Sequence, residues 1–360
     1  MRRTYHTQPR TRRALLGTIG GVGALTLAGC VGEEPEDDDD EDAADPDDDG
    51  EEPDDDAEPD DDGEDLDDDA EPEEGGERLA WHAGGTEGTY YPLSGEMKSI
   101  VEEHTPHVLQ VQATGASVEN VGSLDDGSAD FALIQNDVAY FAFNGTGLEE
   151  FEGDPIESIR GVATLYPETI HIITRPEAEV ESLEDLEGRP VNTGDLGSGT
   201  QVNALQILET VGLTTDDFSE QNTGFGTAAD QLRDGDVDAA FIVGGWPVGA
   251  VEDLSQTVDI AILNIDAETR EEILDGAEWF AEDTIPGGTY DGVDDDVDTV
   301  SVQAMIATRE DLDEGIVEEV TAAIFDNVDD FSIKADFIDV DTAQDGMSVE
   351  LHPGAEAYFS

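Results

Sequence analysis

Gly84-Gly85-Thr86-Glu87-Gly88-Thr89-Tyr90-Tyr91-Pro92 sits between a short apolar run, Leu79-Ala80-Trp81, and a segment that puts Leu93, Met97, Ile100 and Val101 on one helical face. That order reads as strand, glycine turn, helix. Such a turn gathers bare backbone N–H groups, two threonine hydroxyls and a helix N-terminus at one point, a set suited to an anion without a charged side chain. A second turn of the same kind follows roughly a hundred residues later, at Gly194-Asp195-Leu196-Gly197-Ser198-Gly199-Thr200. Two such turns in two α/β stretches imply a ligand held between two lobes.

Charge bounds the setting. The chain of 360 residues carries a formal net charge of −78. Residues 33–77 hold 31 of the 92 acids and no Lys or Arg, while the chain from Arg78 onward sets 61 acids against nine bases, a net of −52. Lysine is nearly absent from that part, with only Lys98 and Lys334. Such a surface repels itself until counterions screen it, which points to a very salty environment and a halophilic archaeon. A nucleic-acid partner is excluded by the lack of any basic patch to neutralise phosphates.

The first thirty residues read as an address. Thr11-Arg12-Arg13-Ala14-Leu15-Leu16-Gly17 has a twin-arginine pattern, an apolar run of 16 residues ends at Gly29, and Leu27-Ala28-Gly29-Cys30 matches a lipobox. The run is short for a span of about 20 residues. Cys30 is the one cysteine, so no intramolecular disulfide forms and lipidation at Cys30 is the expected role. The product is an exported protein anchored to the outer face of the cell membrane. Residues 31–77 follow as an acidic tether too polar to bury a core.

From residue 78 onward strand and helix patterns alternate, the mark of an α/β fold. Lobe I is expected over 78–168 and lobe II over 169–264, with 265–360 returning to lobe I at a point between 264 and 301. Val108 to Thr114 and Phe131 to Ile134 read as strands, and Ser117 opens a helix that stops near Gly127. Gly161 to Tyr166 and Ile170 to Arg175 read as two strands around Pro167, crossing into lobe II. There Ser198 and Gln201 form a capping-box pattern at the start of a helix, and Val258 to Leu263 is expected as the last strand. Ile316 to Phe325 reads as a terminal amphipathic helix.

Taken together, Gly85 to Pro92, Ala113 to Asn120, Ala132 to Tyr140, Gly197 to Thr200, Pro286 to Tyr290 and Leu351 to Ala355 resemble the TAXI family of solute-binding receptors, with the motifs in the family's order. The resemblance implies a two-lobed Venus-flytrap fold of the periplasmic-binding-protein type II class, with a ligand cleft between lobes and no catalysis. It implies capture of a small carboxylate, glutamate or a related amino acid or dicarboxylate. Delivery would be to the integral-membrane subunits of an ion-coupled TRAP permease, with no cofactor or metal and a monomeric receptor. Gly115-Ala116 departs from the family's usual Gly-Gly, and Trp246 stands where the family commonly has a small residue.

Candidate ligand residues follow from position. Thr86, Thr89 and Tyr90 belong to the first turn, where Thr89 fits either a ligand contact or a helix cap. Ser117 and Asn120 open a helix, so Ser117 fits an N-cap as well. Gln135 and Asp137 follow the C-terminal end of a buried strand, where ligands bind in open α/β sheets. A cleft carboxylate at Asp137 would repel an anion and welcome an ammonium. Ser198, Gly199 and Thr200 offer the second anion site, and Tyr166, Trp246 and Tyr290 are candidates to wall the pocket. Two other classes remain as alternatives: a sensory receptor with the same cleft, and, fitting less well, a secreted hydrolase. For the hydrolase there is no Gly-x-Ser-x-Gly elbow and no zinc-type cluster.

Overall fold

The computed structural model describes residues 71–148 and 150–360. The signal, Cys30 and most of the acidic tether lie outside the described residues. Among those described, no helix is long and apolar enough to cross a membrane, and no group of three or more His, Cys, Asp or Glu is placed to hold a metal ion.

Among the described residues, ten strands form one sheet. In chain order they are β1 Arg78–His82, β2 Val108–Gln112, β3 Phe131–Gln135, β4 Ile159–Thr174, β5 Pro190–Asn192, β6 Ser219–Gln221, β7 Ala239–Gly244, β8 Ala261–Ile262, β9 Ala281–Ile285 and β10 Val297–Arg309. The helices are α1 Tyr90–His104, α2 Ser117–Asp126, α3 Asn136–Asn144, α4 Gly199–Thr210, α5 Phe225–Asp234, α6 Gly249–Ser255, α7 Ala267–Gly276, α8 Glu314–Asp326 and α9 Pro353–Phe359. The strand path is β2-β1-β3-β10-β4-β7-β5-β6, with β8 beside β4 and β9 beside β10. Strands β1, β2 and β3 pair in parallel, as do β5, β6 and β7. Those parallel strands are apolar runs rather than alternations: all five residues of β3 and all six of β7 are buried, as expected for sheets covered on both faces.

Two long strands make the mixed fold two-lobed. The first half of β4 pairs with the last half of β10, beside β3; the second half of β4 pairs with β7, while the first half of β10 pairs with β9. Each half therefore belongs to a different lobe. The Tyr166–Glu168 region is not a break between two strands, as the proline suggested. β4 runs through Pro167, and the register shifts between Gln303 and Met305 opposite it. An irregular ladder is where a residue without an N–H is tolerated.

The cores follow the lobes. In lobe I, Trp81 stacks on Phe131 at 5.5 Å between ring centres and donates its indole N–H to Ser94 Oγ at 2.9 Å. Around them pack Leu93, Met97, Ile100 and Val101 of α1 with Val317, Val320 and Ile324 of α8. Burying each such side chain contributes about 1.5–3 kcal/mol. In lobe II, Ile207 and Leu208 of α4 pack with Phe241, and Ile265, Ile273 and Phe280 join the same core. Ile265, Ile273 and Phe280 thus pack with lobe II, and β10 leads the chain from β9 to β3. Val258 to Leu263 yields only the two-residue β8 and is not the last strand there, since β9 follows. Helix α8 is not terminal either, because α9 comes after it and packs Phe359 against Phe325.

Candidate functional site

The C-terminal ends of the parallel strands in the two lobes face one another. From β1 the chain enters the 84–89 turn and then α1; from β5 it enters the 193–198 turn and then α4. Gly194 and Gly197 hold φ of +98° and +76° in that second turn, a backbone region that favours glycine. Ser198 caps α4, its Oγ accepting from Gln201 N at 3.2 Å, while Gln201 Oε1 accepts from Gly197 N at 2.8 Å. The N–H groups of Gly199 and Thr200, in the first turn of α4, have no intrahelical acceptor. The two turns enclose a cavity of about 170 Å³ lined by residues of both lobes.

Eight of the thirteen residues singled out from sequence line this cavity: Thr86, Thr89, Tyr90, Ser117, Gln135, Ser198, Gly199 and Thr200. Thr89 does not cap α1; its hydroxyl donates across the lobes to Gly245 O at 3.4 Å. Ser117 is not an N-cap either. It lies inside α2, and its Oγ accepts from Gln135 N at 3.1 Å. The residue before it, Ala116, holds φ 68° and ψ −140°, a conformation that is almost exclusively glycine's. The Gly-to-Ala departure noted in the sequence therefore places a strained residue on the cavity wall.

The other five candidates sit outside the lining, each with a structural task. Asn120 donates to Ala83 O at 2.7 Å and Leu133 O at 2.8 Å, and accepts from Thr114 Oγ1 at 2.7 Å, tying together β1, β3 and the turn before α2. Asp137 is wholly buried against α4 of lobe II. Tyr166 is buried behind the cavity and donates to Glu168 Oε1 at 3.3 Å. Trp246 packs edge-on against Phe337, and its carbonyl accepts from Lys334 Nζ. Tyr290 belongs to the lobe II core. His171 donates from Nδ1 to Thr169 O at 2.9 Å, so its Nε2 accepts from Tyr290 OH at 2.9 Å, and Tyr290 accepts from Val248 N.

The lining also takes side chains that the sequence does not single out, among them Glu87, Glu168, Asp195 and Phe225. Glu168 is the most telling. It is 3 % exposed and accepts from Gln135 Nε2 at 2.9 Å, Tyr90 OH at 3.1 Å and Tyr166 OH. Burial pushes its carboxyl up to about 7, against the pull of those three donors. Asp195 is also held up by burial, and secondarily by Glu119. Glu87 reaches across the cleft and accepts from Gly226 N at 2.7 Å, at the start of α5. Gln135 Oε1 is buried with no hydrogen-bond partner among the described residues. The cavity wall thus carries three carboxyl groups, an unmatched amide oxygen and two helix N-termini, and no Lys, Arg or His lines it.

The lobes touch closely around the cavity. A Cβ on Gly199 would come within 2.1 Å of Gln135 Oε1 and 2.9 Å of Ser117 Oγ. Val202 and Trp279 of lobe II pack into a core built mostly of lobe I residues, with Trp279 edge-on to Phe141 at 4.7 Å. The arrangement is a closed two-lobed clasp.

Solved structures with similar folds include the alkanesulfonate-binding protein SsuA from Xanthomonas axonopodis pv. citri, bound to MOPS. It is 15% identical, with 81% of this chain and 84% of that chain covered and a TM-score of 0.43. Another is an amino acid ABC transporter substrate-binding protein from Streptococcus pneumoniae bound to L-arginine, 14% identical over 72% of this chain and 91% of that chain, TM-score 0.44. The profile of the NMT1-like family matches residues 82–360, which takes in both lobes and the cavity between them, and the chain belongs to that family.

Proposed function

We propose that the protein is an exported solute-binding receptor that closes its lobes on a small amino acid or carboxylate, glutamate or a relative of it. In this reading it passes the solute to a TRAP-type membrane permease and is anchored by lipidated Cys30. The observation that carries the reading is the cavity between the lobes, walled by a glycine turn and helix N-terminus from each. Closure of such a clasp is stabilised only by contacts made in the closed state. The bare N–H groups at Gly199 and Thr200, with the hydroxyls of Thr86, Thr89 and Thr200, suit a carboxylate.

The acidic wall favours a ligand that also carries an ammonium. An anion alone would meet Glu87, Glu168 and Asp195 with no cation on the cavity wall, whereas an ammonium finds acceptors in Glu168, Asp195 and the unmatched Gln135 Oε1. The role expected of Asp137 thus passes to Glu168 and Asp195. Catalysis is not favoured: Ser198 Oγ is engaged with Gln201 N, and no histidine lines the cavity. A net charge of −52 on residues 78–360 suits work in concentrated salt.

The test is a thermal-shift screen in high salt against amino acids and di- and tricarboxylates. A solute at a hundred times its dissociation constant stabilises by about 2.7 kcal/mol. A hit that Thr200→Ala abolishes supports the reading. A hit that Thr200→Ala leaves untouched removes the cavity from it.

A further inference from the structure

Asp137 lies in lobe I, yet its hydrogen bonds reach into lobe II. Its Oδ2 accepts from Asn203 Nδ2 at 2.8 Å and from Gln206 Nε2 at 3.5 Å, both on α4. Asp137 and Asn203 are each wholly buried. Among the described residues, Asp137 Oδ1 and Asn203 Oδ1 are both buried without a hydrogen-bond partner. Two unmatched acceptors on a pair already joined by one hydrogen bond form a mismatch, since burying unsatisfied oxygens is costly. One proton removes it. A carboxylic acid carries a donor as well as an acceptor, so a protonated Asp137 donates to Asn203 Oδ1 while accepting from Asn203 Nδ2, closing an acid–amide ring across the lobe boundary.

We propose that Asp137 and Asn203 form a proton-dependent latch: lobe closure draws one proton onto Asp137, so capture of the solute strengthens as pH falls. The latch rests on the receptor reading above for its purpose. Its surroundings fit. Trp279 donates its indole N–H to Gln206 Oε1 at 3.0 Å, which leaves the Gln206 amide nitrogen facing Asp137. On its own helix, Asp137 N donates to Asn136 Oδ1 at 3.0 Å. The ionisable group facing it is Glu168 on β4, while the α4 contacts are neutral amides. Burial pushes the Asp137 carboxyl up to about 7, against the hydrogen bonds from Gln206 and Asn203.

The sign follows from the two lobe states. With the lobes apart, Asp137 meets water and titrates near the usual aspartate value of about 3.9. Between that value and about 7, closure takes up a proton, so affinity falls as pH rises and then levels off. Below both values the acid is protonated in either state and affinity is highest.

The test uses the full folded chain labelled with fluorotryptophan, in fixed high salt, with the Trp279 resonance assigned through Trp279→Phe. Without any solute, that resonance is expected to move with pH in wild type and to stay fixed in Asp137→Asn, whose amide supplies the donor at every pH. With a solute from the screen, wild-type affinity should drop at least tenfold between about pH 5.5 and about pH 7.5, from the uptake of one proton. In Asp137→Asn that drop should shrink at least tenfold. A Trp279 resonance indifferent to pH, or a fall of unchanged size in Asp137→Asn, overturns the latch. The fluorine measurement decides the latch even if no solute is found. A solute that binds without the expected pH profile sinks the latch and leaves the receptor reading standing.

Discussion

Replacing Gly199 with alanine tests whether the closed clasp is the state that holds the solute. The added methyl would sit 2.1 Å from Gln135 Oε1, where ordinary contact needs about 3.5 Å, so about 1.4 Å must be found. The Gln135 amide is not free to swing away, because its Nε2 donates to Glu168 Oε2 at 2.9 Å. Either that bond to a carboxyl group breaks, at about 1.5–3 kcal/mol, or the lobes stay apart by a comparable strain. Affinity should therefore fall about 10- to 150-fold. The solute-free protein should not suffer, since alanine favours a helix over glycine by about 1 kcal/mol and Gly199 opens α4. Titration calorimetry with the best solute, beside a melt of the solute-free variant, separates the two effects. Unchanged affinity together with an unchanged melt would refute the reasoning, because the two walls would then not meet around the solute.

Three further expectations follow from the same structure. Ala116→Gly relieves an alanine held at φ 68° and ψ −140°; after the entropy that glycine adds to the unfolded chain, denaturation should show a gain of about 1 kcal/mol, and a loss would mean the turn is not strained. Glu168, raised to about 7 by burial, destabilises the fold as pH climbs from its unfolded value of about 4.3 to about 7. Calorimetric melts of Glu168→Gln should therefore fall less steeply over that range than wild type, and equal slopes would place Glu168 in water. Melting temperature should climb as salt is added, because the −52 charge is screened, whereas affinity should be flat between about 2 and 4 M, where the Debye length is already below about 3 Å. A steep change in affinity there, with the fold intact, would mean that the surface field sets binding.

Much of the frame was legible because local signals and tertiary packing agree. The run from Leu79 to Val101 carries a strand, a turn and a helix in its own residues, and the Ser198 cap needs no distant partner. What failed was non-local. Pro167 suggests a break, yet a proline can lie within a strand where the facing ladder slips, and the slip is supplied by β10, where Gln303 faces Pro167. Glu168 gave no signal because one acid among 92 is unremarkable by composition; its burial is made by Tyr90, Gln135 and Tyr166 from three segments. Asp137 stood beside a strand end, as cavity residues do, but α3 turns it toward α4 instead. Tyr290, which follows β9, meets His171 of β4 only through the pairing of both strands with β10.

The placement of β10 also sets an order of assembly. Lobe I's sheet has β10 between β3 and β4, so neither of those strands gains its inner neighbour until residue 309 has been made. In lobe II, β4, β5, β6 and β7 lie within residues 159–244 and pair with one another before β10 arrives. On a ribosome that releases the chain from its N-terminus, the β1-β2-β3 ladder and then the β4-β7-β5-β6 ladder can each form before β10 is made. The opening strands wait beside it with an unpaired edge on β3, the kind of edge that invites aggregation, until the late strand threads in and seals it.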